Sequence, residues 1–450
     1  MKSERKPVTI AVRGMAAEGG GAQVKKARFT ALLMALLLLS GCSAQPHDDQ
    51  PTVSGQVGSA VKTVIQYYDS TDSTQLAEAV VAAFNAQSAN TFVQLHLVDN
   101  EVYDNTIADT LRNGGDIDCL YIRQPCQVNQ FAAEGLLTDL TEDVARSDLD
   151  PAAYGQTLDI ISIANTIPAL PRTKSVWLLF YNKDILDHYN IPEPSNLTWD
   201  QYADLARRLT EKQADGSTRY GGYIPPWTLN LGAIAAGEYL YDDELPYTRK
   251  YMQLLNRLYN VDHSVPDITQ MDGEYNLPNL VFLDQKIATM INGDWVVYLF
   301  KNAYPEQSSA FRWGIATLPV FDDVPKKTAV GSCSYLAIPG NSPHRANAFE
   351  FISFFAGATA ADMLAKFPTC PAYYTDRSAE RYQQNAGVPG ANYIFDSLVR
   401  NEEGAFVRYR ELNITFKNCL LEYLRGNTSL DAAFEQFETQ RLPLLSGTGD

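Results

Sequence analysis

Histidine and cysteine are scarce in this chain, five and six residues among 450. The histidines (His47, His96, His188, His263 and His344) are scattered, and no CxxC pair occurs, so the sequence offers no zinc framework. His96 alternates on an expected strand and reads as structural. GxSxG, GxxxxGK[ST], HExxH and the EF-hand loop are missing as well. That removes the nucleophile elbow, the phosphate loop, the zinc-protease helix and the calcium loop. No cofactor and no metal is expected. One enzyme class survives, because two carboxylates for glycoside hydrolysis have no short motif. Positive charge is also in deficit: 36 Lys+Arg stand against 53 Asp+Glu, a net charge of −17. This argues against a nucleic-acid surface, which must neutralise phosphates, and favours solubility. No apolar run reaches the ~20 residues of a comfortable transmembrane helix.

What is present begins with a leader. Lys25, Lys26 and Arg28 precede "ALLMALLLLSGC", a charged stretch and then an apolar run of signal-peptide length. Its end, Leu39-Ser40-Gly41-Cys42, resembles the bacterial lipobox. The resemblance implies that Cys42 is lipidated, becomes the first mature residue and anchors the protein to the outer face of the cell membrane. An ordinary signal peptide with a chance cysteine is the alternative. The stretch before Met15 is long, which makes Met15 a second candidate start. Residues 1–42 hold seven Lys/Arg and two Asp/Glu, so the mature chain stands at −22. Residues 43–62, rich in Ser, Gly, Gln and Pro, read as a flexible tether. Cys119, Cys126, Cys333, Cys370 and Cys419 remain, an odd number that leaves at least one thiol unpaired. Most read as small core residues, with one or two disulfides open.

From Thr63 the pattern is regular. "TVIQYYD" is β-rich. "TQLAEAVVAAFNAQ" places Leu76, Val80, Ala83 and Phe84 at helical spacing behind Ser73 or Thr74 as cap. "TFVQLHLV" and "DIDCLYI" read as strands around a helix that glycine ends. Alternation of this kind means βαβ units and a mainly parallel sheet. It recurs in "SVWLLFYN", in "TWDQYADLARRLTEK" with Thr198 as cap, and in the strands "KIATMI", "FRWGIATLPVF" and "AVGSCSYLAIP". Trp177, Trp199 and Trp313 are assigned to the core or to helix starts. No internal repeat is visible.

One short stretch, "INGDW" (residues 291–295), admits two readings. In one, Gly293 turns the chain, Asp294 caps a helix and Trp295 packs. In the other, an acid beside an indole holds a ligand. The C–H face of a sugar ring stacks on an aromatic ring, and its hydroxyls pair with carboxylates.

"LLFYNKDIL…IPEPSNLTWDQYADLARRLT" and "FLDQKIATMINGDW…WGIATLPVF…AVGSCSYLAIP…AFEFISFFAG" resemble the extracellular solute-binding proteins of ABC transporters. The specific likeness is to the carbohydrate-binding family that includes the maltose-binding protein. It runs in order from about Thr63 to Leu442. The resemblance implies a type II periplasmic-binding-protein-like α/β fold of two hinged lobes. Lobe 1 would be residues 63–168 plus 311–365, and lobe 2 residues 169–310 plus 366–445. Crossovers would lie near residues 164–171, 314–318 and 362–368. The implied function is capture of a carbohydrate and delivery to ABC permease subunits, by a monomer that makes and breaks no bond. The same fold serving a non-sugar solute, and a secreted hydrolase, are the alternatives.

The resemblance places Trp295 and Asp294 at the ligand, although the compared family example has Pro at the position of Asp294. Further candidates are Asp69, Ser70 and Thr71 at the carboxyl end of the first strand, and Arg123 and Gln124 after the third. An arginine there can donate several hydrogen bonds to hydroxyls. Trp227 is a candidate second stacking ring, Ser332 lies at the cleft rim, and Tyr373 and Tyr409 complete the set.

Overall fold

The computed structural model describes residues 61–446, except 163, 164, 272, 274, 404, 405 and 407. The leader, Cys42, most of the tether and the first residue of the first expected crossover lie outside the described residues. Eight strands form one sheet: β1 (Thr63–Ser70), β2 (Thr91–Val98), β3 (Cys119–Ile122), β4 (Leu170–Asn182), β5 (Thr289–Gly293), β6 (Trp313–Ala316), β7 (Thr328–Ala337) and β8 (Leu398–Asn401). Its main path runs β2-β1-β3-β7-β4-β5, with β8 paired to β7 and β6 to β4. Five helices matter for the packing and the site: α1 (Thr74–Gln87), α2 (Pro125–Ala133), α3 (Trp199–Leu209), α4 (Trp295–Tyr298) and α5 (Arg345–Ala356).

The expected βαβ logic holds where it was read first. β1 pairs in parallel with β2 and with β3. Between them α1 buries Leu76, Ala77, Val80, Val81 and Phe84, the positions its helical period marks. The sheet as a whole is mixed rather than mainly parallel. β4 is antiparallel to β5, β6 and β7, and β3 is antiparallel to β7. The reason lies in β4, a 13-residue strand. Its first half pairs with β7, and its second half lies between β5 and β6.

Two hydrophobic cores flank this strand. The first packs Tyr67, Phe84, Phe351 and Phe355, with Tyr67 and Phe351 in edge contact at 5.0 Å. The second packs Phe180, Trp199, Tyr251, Phe282, Phe300 and Trp313. Thr198 caps α3 in a capping box with Gln201, worth about 1 kcal/mol. The packing departs from the expected lobe edges. Phe311, Trp313, Leu318, Val320 and Val330 belong to the second core, and β7 joins the first only from Cys333. Buried side chains change core between Leu170 and Val176 in β4, an interval that overlaps the end of the expected segment 164–171, and between Val330 and Cys333 in β7, later than the expected segment 314–318. Further on, Ala365 and Cys370 pack on the second core between Leu364 and Ala372 of the first, and from Tyr382 onward the buried side chains stay with the second. All five cysteines of this part are buried free thiols, so no disulfide forms among them. His96 bonds Gln66 and stacks on Tyr68 at 4.6 Å, a structural role.

Candidate functional site

A cavity of about 530 Å³ opens where β4 and β7 pass between the cores. This is ample for a small ligand, since such sites span ~300–1,000 Å³. Of the residues expected at the ligand, Arg123, Gln124, Trp227, Asp294, Trp295 and Ser332 line it.

"INGDW" can now be read atom by atom. Gly293 ends β5 opposite Trp177 of β4. A β-carbon at Gly293 would fall inside the indole of Trp295. Glycine is therefore required for the ring to fold back over the strand end. There the indole meets Trp177 edge-on, at 5.1 Å and 85°. Trp295 remains 39% exposed, an unusual state for an indole so well supported. Trp227 is similarly open, at 41%.

Asp294 does not cap α4, for its side chain makes no capping bond. The carboxylate instead accepts the Val176 N–H at 2.8 Å, and the Asp294 N–H donates to the Val176 carbonyl at 3.1 Å. Burial pushes its carboxyl up to about 7, against the Val176 N–H and the Lys174 charge, which lower it.

Three residues that the sequence reading did not single out for the ligand complete this wall. Trp177 was assigned to the core, and it is buried, yet it lines the cavity. Its Nε1–H donates to Glu402 Oε2 at 2.9 Å. Burial raises the Glu402 carboxyl to about 7, the Trp177 bond lowers it, and neighbouring Glu403 raises it further. Lys174, also on β4, holds its ammonium 5.1 Å from the Phe395 ring. The proximity of Glu402 to Trp177 spans 225 positions in sequence and has no local signature.

The opposite wall is built on β1 and β3. Arg123 donates to Ser70 Oγ at 2.7 Å and pairs with Asp104 at 3.3 Å and Asp72 at 3.7 Å. Asp72 lines the cavity; Asp69, Ser70 and Thr71 stand behind it. Asp69 is fully buried and saturated. It accepts from Tyr67, Ser73 and the Ser70 N–H, and it pairs with Arg172 at 3.2 Å. Arg172 lies between the rings of Tyr121 and Phe355, at 4.5 and 4.7 Å. Thr71 is exposed and accepts the Asn100 N–H. Ser332 Oγ has no hydrogen-bond partner among the described residues. Tyr373 and Tyr409 lie outside the lining: Tyr373 accepts the Asp150 N–H, and the buried Tyr409 hydroxyl accepts from Asn230. No cluster of metal-ligating side chains occurs among the described residues.

The chain belongs to the bacterial extracellular solute-binding protein family, whose family model matches residues 69–362. It is similar to the galactooligosaccharide-binding protein of Bacillus subtilis (strain 168), 25% identical over 317 residues, 65% of this chain and 67% of that protein. Its fold matches a sugar transporter from Rhizobium etli solved in an open conformation, with a TM-score of 0.73 and 24% identity over 83% of this chain and 98% of that one. It also matches an ABC substrate-binding protein from Listeria monocytogenes in complex with cycloalternan, with a TM-score of 0.72 and 19% identity over 85% and 99%. The architecture is that of the two-lobe periplasmic binding proteins. No helix among the described residues is long and apolar enough to cross a membrane.

Proposed function

We propose that this protein is a lipid-anchored receptor that captures a carbohydrate between two lobes and delivers it to an ABC permease. The observation that carries the reading is the wall formed by Trp295, Trp177 and Trp227 with Asp294 and Glu402, in a cavity between two separate cores. Open indole faces suit the C–H face of a sugar ring, and carboxylates suit its hydroxyls. The galactooligosaccharide-binding relative supports the same ligand class. The lobes follow the two cores, and β4 and β7 are the hinge strands. The work is selection of a closed state by a ligand that touches both walls. The protein acts as a monomer, held to the membrane through Cys42, and makes and breaks no bond.

A thermal-shift screen over galactobiose, maltotriose and related neutral sugars tests this. A sugar that binds only the folded state at 100 times its Kd adds about 2.7 kcal/mol of apparent stability. At least one should raise the melting temperature and be recovered unchanged after incubation. If none does, the carbohydrate reading falls; if products appear, the receptor is a hydrolase.

A further inference from the structure

Helix α2 begins without a local cap. Its N-cap residue, Gln124, makes no side-chain capping bond, and Pro125 follows at once. The first N–H groups of a helix have no partner inside it and need one elsewhere. Here the partner comes from 277 positions away: the Cys126 N–H donates to Glu403 Oε2 at 2.9 Å. Glu403 is only 7% exposed. Burial raises its carboxyl, and the Cys126 bond and the charge of Arg410 lower it.

This bond joins the two cores. α2 contributes Val128 and Phe131 to the first. Glu403 follows β8, whose Val399 packs on the second, as does Phe406 beyond it. Its neighbour Glu402 donates its N–H to the Gly331 carbonyl of β7, where that strand crosses, and takes the Trp177 indole N–H at the cavity. Consecutive residues thus hold the cavity wall with one carboxylate and the opposite core with the other.

We infer that Glu403 is a tie between the cores, a helix cap supplied across the crossover strands, which holds the two lobes in their sugar-free arrangement. Displacing α2 would leave a buried carboxylate and a helix N–H unpaired together, and each is costly. The inference rests on the hinged two-lobe reading above. Its reach into the site runs through Glu402 and Trp177.

The test uses the sugar-free full chain with spin labels at Glu78→Cys on α1 and Arg208→Cys on α3, both exposed sites. The wild-type distance distribution should be narrow. Glu403→Ala should broaden or shift it well below the melting temperature, and Glu403→Gln, which keeps an acceptor, should restore most of it. A Glu403→Ala protein that merely melts earlier, with the wild-type distribution, overturns the tie. Should Glu403→Ala not fold, amide exchange of the wild-type protein decides. The Cys126 N–H should exchange at least about tenfold more slowly than an uncapped helix N-terminal amide, and exchange at the uncapped rate overturns the tie. Failure of the hinge reading looks different: a sugar that binds would leave the label distance of the wild type unchanged.

Discussion

The indole of Trp295 owes its position to what Gly293 lacks, and this gives the residue-level tests their shape. Trp295→Ala removes a supported, open ring. Its cost in sugar binding should be very roughly 2–4 kcal/mol, as for truncated interface anchors, or about 30- to 1,000-fold in affinity. Stability should fall less, since the ring already faces open space. Calorimetric titration and a melting curve on the same mutant check both halves; a sharp drop in melting temperature with unchanged affinity would make Trp295 a core residue. Asp294 carries a pH signature. Its carboxyl moves from 3.8 to about 7 on folding, so the folded state binds the proton more tightly. Its contribution to stability is full below about pH 4 and is lost as pH rises through 7, on the order of a few kcal/mol for such a shift. Asp294→Asn, which keeps an acceptor for Val176, should lessen the stability lost between pH 5 and 8. Glu402 contributes with the same sign, so the slope should shrink rather than vanish. Urea midpoints across that range measure it; an unchanged slope refutes the assignment. The acid–indole pair could be read from five letters of sequence. Glu402 could not, because its meeting with Trp177 is made by the fold alone.

At the scale of the element, β4 explains what the sequence period hid. "SVWLLFYN" announces itself as a buried run, and those residues form the second half of the strand. The first half, "LPRTK", carries Arg172 and Lys174 and has no clean alternation. It is a strand because β7 pairs with it, and Arg172 is accommodated there by Asp69 from β1. The change of core in β7, between Val330 and Cys333, has no sequence signal for the same reason: a strand that changes core in mid-course shows no break. β7 makes the approach possible at Gly331, opposite Val176. A β-carbon there would lie 2.6 Å from the Ser175 carbonyl oxygen and from Val399 Cγ1. Gly331→Ala must therefore push β7 from β4 or from β8, at a cost of about 1–3 kcal/mol as in overpacked cores. Chemical denaturation should show the lower midpoint. A neutral result would mean that the crossover strands slide freely past one another.

For the whole molecule, anchoring and closure are separate matters with separate tests. Cys42→Ala should release the protein from washed membranes, because the described residues offer no membrane-spanning helix to replace a lipid; retention would refute the lipobox reading. The α/β class and the order of the strands were legible because helix and strand periods survive in each short segment. Core membership was not, since residues 311–330 pack according to where β6 and β7 enter the sheet. On the hinged two-lobe reading, rotation about β4 and β7 would leave the apolar packing of each core largely intact, the Glu403–Cys126 bond would be the polar contact that resists it, and the cavity would be the space available to close. A sugar gripped by Trp295 and Asp294 on one wall and by Arg123 on the other would favour the closed arrangement by its extra contacts there. Small-angle scattering should then show a smaller radius of gyration with the bound sugar, and far-ultraviolet circular dichroism should not change. The compaction should be lost in Trp295→Ala at sugar concentrations that saturate the wild type, and recovered when the sugar is raised in proportion to the weaker affinity. Binding with an unchanged radius would mean a rigid cleft and would remove the hinge from the mechanism.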